Sequence, residues 1–303
     1  GLQLNEYGVY RHERRIAGDT EACVYRALGL PLIECELREQ CGEIDAVLLQ
    51  RLPNLVQRAN LRGDLHAHTR ESDARERLEG MVEAACARGL QYLAITDHSP
   101  RLTLAYGLDA GRLAQQIDRI DELNTRPAGF VLLKGIEVDI LEDGNLNLPD
   151  AILRRLDPVV GTVHHRFELS RDRHSDRLLR AMDHPYFSIL ARPTGRLINE
   201  RPGCHINLAR VIYKARERGY FLELNAHPAR LDLDDFVCRM AKEEGVPISI
   251  SSDAHNAAEF DNLRFDIGQA RCDWLGPHDV LNTRGLDAVR RRLAATMDRA
   301  SLA

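Results

Sequence analysis

The stretch Gly63-Asp64-Leu65-His66-Ala67-His68-Thr69 is a short apolar run that ends in two histidines two residues apart. In a strand, residues i and i+2 point the same way, so both imidazoles fall on one face. The same grammar recurs along the chain. Apolar runs end at Asp97-His98, Glu137, His164, Arg192, Asn225-Ala226-His227 and Asp253-Ala254-His255. Seven strand ends carrying polar chemistry require a fold that brings strand ends to one face, and a barrel of parallel strands does this.

Outward from these runs the chain alternates. Strands are expected at Gly63–Leu65, Tyr92–Ile95, Phe130–Ile136, Pro158–Val163, Phe187–Ala191, Tyr220–Leu224 and Pro247–Ile250. Helical periodicity covers Arg75–Arg88, Ala110–Asn124, Asp150–Leu156, Ser175–Met182, Ile206–Arg218, Leu233–Glu244, Ala257–Ala270 and Leu286–Arg299. Strand–helix alternation with short connections implies α/β architecture, a parallel sheet with helices outside. Residues 1–61 break the pattern and read as short helices and turns, with Asp19-Thr20 capping a helix over Glu21–Leu28 and a second helix over Glu43–Leu52. The run Arg11-His12-Glu13-Arg14-Arg15 reads as a solvated helix face.

Composition narrows the class. Hydrophobic residues are 44% and charged residues 29%, which is globular rather than disordered or fibrous. No apolar run reaches the ~20 residues of a bilayer span, so no membrane partner is expected. The net charge of -5 argues against a generally basic nucleic-acid coat. Seven scattered cysteines without a Cys-x-x-Cys read as reduced thiols in a cytoplasmic protein. No Walker-type loop and no Gly-x-Ser-x-Gly elbow is present. The chain starts at Gly1, and a fragment of a longer protein is expected.

The strand-end residues suit divalent metals. His66, His68, Asp73, His98, Glu137, His164, Asp253 and His255 mix imidazole with carboxylate, a donor set for zinc, manganese or iron rather than for a thiolate site. Eight donors exceed one tetrahedral ion, so two or three ions are inferred. Clustered divalent ions are a device for phosphate-ester hydrolysis: they generate a nucleophile from water at neutral pH and clamp the attacking and leaving oxygens. Arg192 and Arg196, at the same end, are expected to hold phosphate.

At Gly63–Thr69, Ile95-Thr96-Asp97-His98, Gly135-Ile136-Glu137, Val163-His164 and Ser252-Asp253-Ala254-His255 the chain resembles the PHP (polymerase and histidinol phosphatase) superfamily. The resemblance implies a distorted seven-stranded (β/α) barrel over residues 62–303. It implies one ion at His66, His68, Glu137 and Asp253, a second at Glu137 and His164 with a further His, and a third at Asp73, His98 and His255. Tyr25-Arg26-Ala27-Leu28-Gly29-Leu30-Pro31, Glu36-Leu37-Arg38-Glu39, Pro193-Thr194-Gly195-Arg196 and Arg230-Leu231-Asp232-Leu233 resemble bacterial family X DNA polymerases, in which this barrel follows the polymerase core. Residues 1–61 would then be a partial, mostly helical thumb and linker, and the polymerase active site lies outside this sequence.

That subfamily implies a manganese-dependent 3′–5′ exonuclease or related DNA-end phosphoesterase used in repair; Glu137 and Asp253, with Arg192 and Arg196 holding phosphate, are expected at the reaction centre. Its partners would be DNA 3′ ends, gapped repair substrates and the rest of the polymerase core. Two alternatives stay open: a catalytically weakened module that positions DNA or the polymerase, and a small-molecule phosphatase resembling histidinol phosphatase. The first is motivated by Arg192, which stands where the family pattern has a histidine ligand of the second ion. Either that ion is weak or absent, or a neighbour, with His227 the candidate, replaces the ligand.

Overall fold

The N-terminal residues depart from the helical expectation. In the computed structural model, which describes residues 1–125 and 129–297, β1 (Leu2–Asn5), β2 (Gly8–Arg11) and β3 (Arg14–Ala17) form an antiparallel three-stranded sheet. The basic run 11–15 is therefore a hairpin turning at His12, whose φ is 55°, and not a helix face. Helix α1 (Glu21–Ala27) follows, with the Thr20 hydroxyl accepting from the Cys23 amide as expected of an N-cap. Helix α2 (Glu43–Leu48) stops four residues earlier than expected. A small cluster of Ile33, Leu37, Val47 and Leu55 packs this segment against Trp274, and Arg271 donates to Glu36 at 2.6 Å across the junction.

From Gly63 the strands among the described residues are all parallel and, except for Val131 and Lys134 at the two ends of one of them, buried. They are β4 (Gly63–Ala67), β5 (Tyr92–Ile95), β6 (Val131–Lys134), β7 (Ile136–Asp139), β8 (Val159–Thr162), β9 (Ile189–Leu190), β10 (Phe221–Asn225) and β11 (Ile248–Ser251). One sheet runs β4-β5-β6 and the other β11-β10-β9-β8-β7. The two sheets meet at both edges. On one side β6 and β7 are successive halves of one strand bent at Gly135, where an added Cβ would lie 2.9 Å from the Ile95 carbonyl oxygen and 2.8 Å from Thr96. On the other, Ala67 bridges Ala254, the Asp253 amide donates to His66 O at 3.0 Å, and the His68 amide donates to Ala254 O at 2.9 Å. With β6–β7 counted once, seven strands run round a ring, compatible with a distorted seven-stranded barrel.

Strand alternation divides the apolar residues into layers. Leu65, Ala94, Leu133, Val160, Ile189 and Phe221 form an inner cluster, plugged by Val289 and Leu293 of the last helix. Ile136, Val138, Leu222, Leu224, Ile248 and Ile250 instead pack against the helices. Those helices are α3 (Leu78–Ala87), α4 (Ala110–Asn124), α5 (Asp150–Leu153), α6 (Arg171–Ala181), α7 (Leu208–Arg218), α8 (Asp235–Glu243), α9 (Leu263–Cys272) and α10 (Leu286–Met297). The expected end of α10 at Arg299 lies outside the described residues, as does the end of the 62–303 unit. None of the described helices is long and apolar enough to cross a membrane. The seven cysteines are all free.

Candidate metal centre

Where the strands run out, the polar endings converge. Three donor groups form, each with all its candidate ligand atoms within 4.8 Å of one another: His66, His68, Glu137 and Asp253; His98, Glu137 and His164; and His68, Asp73, His98 and His255. Glu137 joins the first two, since its Oε2 lies 3.5 Å from His66 Nε2 and 3.7 Å from His68 Nε2 while its Oε1 lies 3.6 Å from His164 Nε2. Asp253 reaches the first group from a left-handed backbone conformation, φ 52°. Such strain is retained where the surrounding structure needs the residue in place.

The donor atoms fit divalent ions. Buried polar atoms are nearly always hydrogen-bonded, yet His66 Nε2, His68 Nδ1, His98 Nδ1 and Glu137 Oε2 are buried without a hydrogen-bond partner. His98 Nδ1 is 2.8 Å from Glu137 Oε2 with no hydrogen-bond geometry between them. Lone pairs facing one another in this way are what a shared cation satisfies.

In three of the rings the far side is held by a partner that orients the donor. Glu223 Oε1 takes His66 Nδ1 at 2.6 Å, Asp139 Oδ1 takes His164 Nδ1 at 2.8 Å, and the Asp253 carbonyl takes His255 Nδ1 at 2.8 Å. Carboxylates and carbonyls behind metal-ligating imidazoles fix the tautomer and raise the ring's basicity. Asp97 has a different task. Its carboxylate accepts from the Thr69 amide at 2.7 Å, the Thr69 hydroxyl at 2.6 Å and the Ser72 hydroxyl at 2.5 Å, which shapes the loop bearing Asp73.

Charge in the cluster is strongly coupled. Burial opposes ionisation of Glu137, but Arg192, then His98, His66 and His164, hold its carboxyl well below the usual range. Burial likewise opposes Asp253, and Arg192, His66 and Arg230 overcome it. Burial disfavours a charged His98, yet Glu137 and Asp73 raise it to about 10. Burial, reinforced by the neighbouring His255 and His98, pushes His68 well below its ordinary value. Asp73, despite burial, falls to about 2 beside His98, His68 and His255.

The remaining expected residues divide. Arg192 lies inside the cluster, its guanidinium touching Glu137 and His164. Arg196 lines the adjoining cavity, but its guanidinium is engaged with backbone: Nε donates to Arg230 O at 2.7 Å and Nη2 to Leu231 O. Among the described residues, His227 falls outside every donor group. Its Nδ1 accepts the Ala229 amide at 3.3 Å within the turn after β10. Sequence reasoning missed Glu223, Asp139 and Arg230, whose Nη1 donates to Asp253 Oδ2 at 2.5 Å. The i, i+2 spacing of Glu137 and Asp139 was the available signal for one of them.

A seven-stranded parallel ring with a His–carboxylate cluster at its strand ends is the setting in which the comparisons fall. The PHP domain model matches residues 64–227 and the DNA polymerase beta thumb model residues 1–39. The chain belongs to the PHP domain family, joined here to a polymerase-type thumb segment. The DNA polymerase/3′-5′ exonuclease PolX of Bacillus subtilis strain 168 is 39% identical over 294 residues, covering 95% of this chain and 51% of that protein. The chain thus spans about half the length of that relative. A Thermoanaerobacter sp. protein assigned as a phosphatase is 34% identical over 218 residues, covering 68% of this chain and 81% of that protein. Among solved structures, a histidinol-phosphatase-type protein of Listeria monocytogenes aligns with TM-score 0.51 and 13% identity, covering 65% of this chain and 96% of that one, a likeness of fold.

Proposed function

We propose that this chain is a metal-dependent phosphodiesterase that trims DNA at 3′ ends, the processing module of a bacterial family X DNA polymerase. The observation that carries the reading is the convergence of three overlapping His–carboxylate groups, among which His66 Nε2, His68 Nδ1, His98 Nδ1 and Glu137 Oε2 are buried without a hydrogen-bond partner. Membership of the PHP family and the phosphatase-type relative support phosphoester hydrolysis. The thumb match and the PolX relative support DNA as the substrate. Residues 1–61 would be the partial thumb and linker and 62–303 the barrel. Its polymerase core, gapped repair DNA and a cytoplasmic setting follow from the same reading.

His66, His68, Glu137 and Asp253 would hold one divalent ion and Asp73, His98 and His255 another, with manganese the leading candidate and zinc or iron alternatives. Bound there, such ions supply a nucleophile from water at neutral pH and stabilise charge on phosphoryl oxygens. The chain's own contribution is positioning. Glu223 and Asp139 hold the imidazoles in the tautomer that presents Nε2. Arg230 and Arg192 neutralise Asp253 and Glu137. Beside them opens a cavity of about 210 Å³ lined by His164, Arg192, Arg196, Arg201 and Arg230. An anionic backbone entering the centre would lie against this cationic wall.

The test is manganese-dependent release of 3′ nucleotides from single-stranded and gapped DNA, with Asp253→Ala as control. Equal activity in the variant overturns the reading, and hydrolysis of a phosphate monoester with none of DNA turns it toward a small-molecule phosphatase. The placement of Arg192 among the donors favours, as a second reading, a module with reduced activity and a DNA-positioning role. No metal uptake on titration would select it.

A further inference from the structure

Glu137 Oε1 and His164 Nε2 are 3.6 Å apart, the spacing of two donors that share an ion contacted by each at about 2.1 Å. The atom that meets both is Nη2 of Arg192. It donates to Glu137 Oε1 and lies 2.9 Å from His164 Nε2, while Nη1 of the same guanidinium lies 3.7 Å from Asp253 Oδ2. Asp139 occupies the other nitrogen of His164, so Nε2 is the acceptor. The lone pair that would serve an ion serves the arginine.

The side chain is no passing visitor. Arg192 is 6% exposed and leaves β9 with φ at 44°, a conformation an L side chain rarely adopts, locked by Pro193 and by the turn in which the Gly195 amide donates to Arg192 O at 3.1 Å. A guanidinium stays charged at any working pH, and a divalent ion at the same point would face it at contact distance without a screening layer of water. The donor set of the second group therefore does not fit a metal.

We propose that Arg192 is the resident cation of the second position, so that this chain holds two divalent ions and one fixed guanidinium. The ions belong to the His66/His68/Glu137/Asp253 group and to the group around Asp73, His98 and His255. The guanidinium substitutes for an ion's charge without its coordination chemistry. Arg192 also lines the cationic cavity, and its Nε finds no protein acceptor. The proposal rests on the metal-centre reading above and specifies its ion count.

The experiment is metal stoichiometry on the whole chain, measured by plasma mass spectrometry after equilibration with manganese and gel filtration. Wild type is expected to hold two ions per chain, Arg192→Lys two, and Arg192→His three. Three ions in wild type, or two in an Arg192→His protein with an unchanged circular dichroism spectrum, overturns the proposal and leaves the metal-centre reading standing. One ion overturns the two-ion assignment. No ion in wild type overturns the metal-centre reading and the proposal with it. The wild-type count decides even if Arg192→His fails to fold.

Discussion

Replacing Glu223 by Gln isolates the role of a residue that touches no candidate ion position directly. Glu223 is fully buried and accepts twice: Oε1 from His66 Nδ1 at 2.6 Å and Oε2 from Asn225 Nδ2 at 3.1 Å. Glutamine is nearly isosteric but has one acceptor, so either the His66 or the Asn225 donor faces an NH₂ group. A buried donor without an acceptor costs about 1–3 kcal/mol. If Asn225 keeps the oxygen, His66 loses the carboxylate that orients it and fixes the tautomer presenting Nε2. Loss of such an orienting partner weakens metal binding roughly 10–100-fold, or about 1.4–2.7 kcal/mol. Titration calorimetry with manganese on Glu223→Gln should show that loss with the stoichiometry retained. Affinity within twofold of wild type, in a variant with native circular dichroism, would refute the claim that Glu223 sets His66 for an ion.

Three further outcomes follow. Arg177 is buried in α6 and donates to Leu141 O at 2.9 Å, His165 O at 2.8 Å and Ile140 O. Arg177→Met strands these carbonyls and should lower unfolding free energy by about 3 kcal/mol or more in urea titrations; a loss under ~1 kcal/mol would contradict the bracing role. Burial, with Asp235 and Asp234 nearby, raises Asp273 to about 7. The folded state therefore holds this proton more tightly than the unfolded chain, so its contribution is present below pH ~4 and is lost as pH rises through about 7. Asp273→Asn should raise the melting temperature relative to wild type at pH 8 and not at pH 4; the opposite ordering would refute the assignment. Glu36 is drawn down to about 2 by its hydrogen bond from Arg271. Glu36→Gln should weaken the junction between the N-terminal segment and α9, seen as faster protease cleavage after residue 38 at pH 7, with the difference shrinking as pH falls from about 4.5 toward 2.

Much of the barrel was legible because each strand is an apolar run closed by a polar ending. Tyr92–Ile95 and Ala110–Asn124 match expectation residue for residue. The β6–β7 bend was hidden inside one continuous run, since a glycine in a strand marks either a break or nothing until its neighbours are known. The antiparallel sheet at the N-terminus left no alternation to read: β1 is exposed along its whole length. In the site, the donors were readable from their place at strand ends, whereas Glu223 and Arg230 were not. A glutamate within a strand and an arginine in a turn look like surface residues until the ring closes and turns them inward.

The account rests on divalent ions at the strand-end cluster, and anomalous diffraction at the manganese edge from soaked crystals tests that most directly. It predicts one peak among His66, His68, Glu137 and Asp253, a second among Asp73, His98 and His255, and none between Glu137 and His164, where Arg192 stands. An absence of peaks at the first two positions, with manganese present in the crystal, would contradict it.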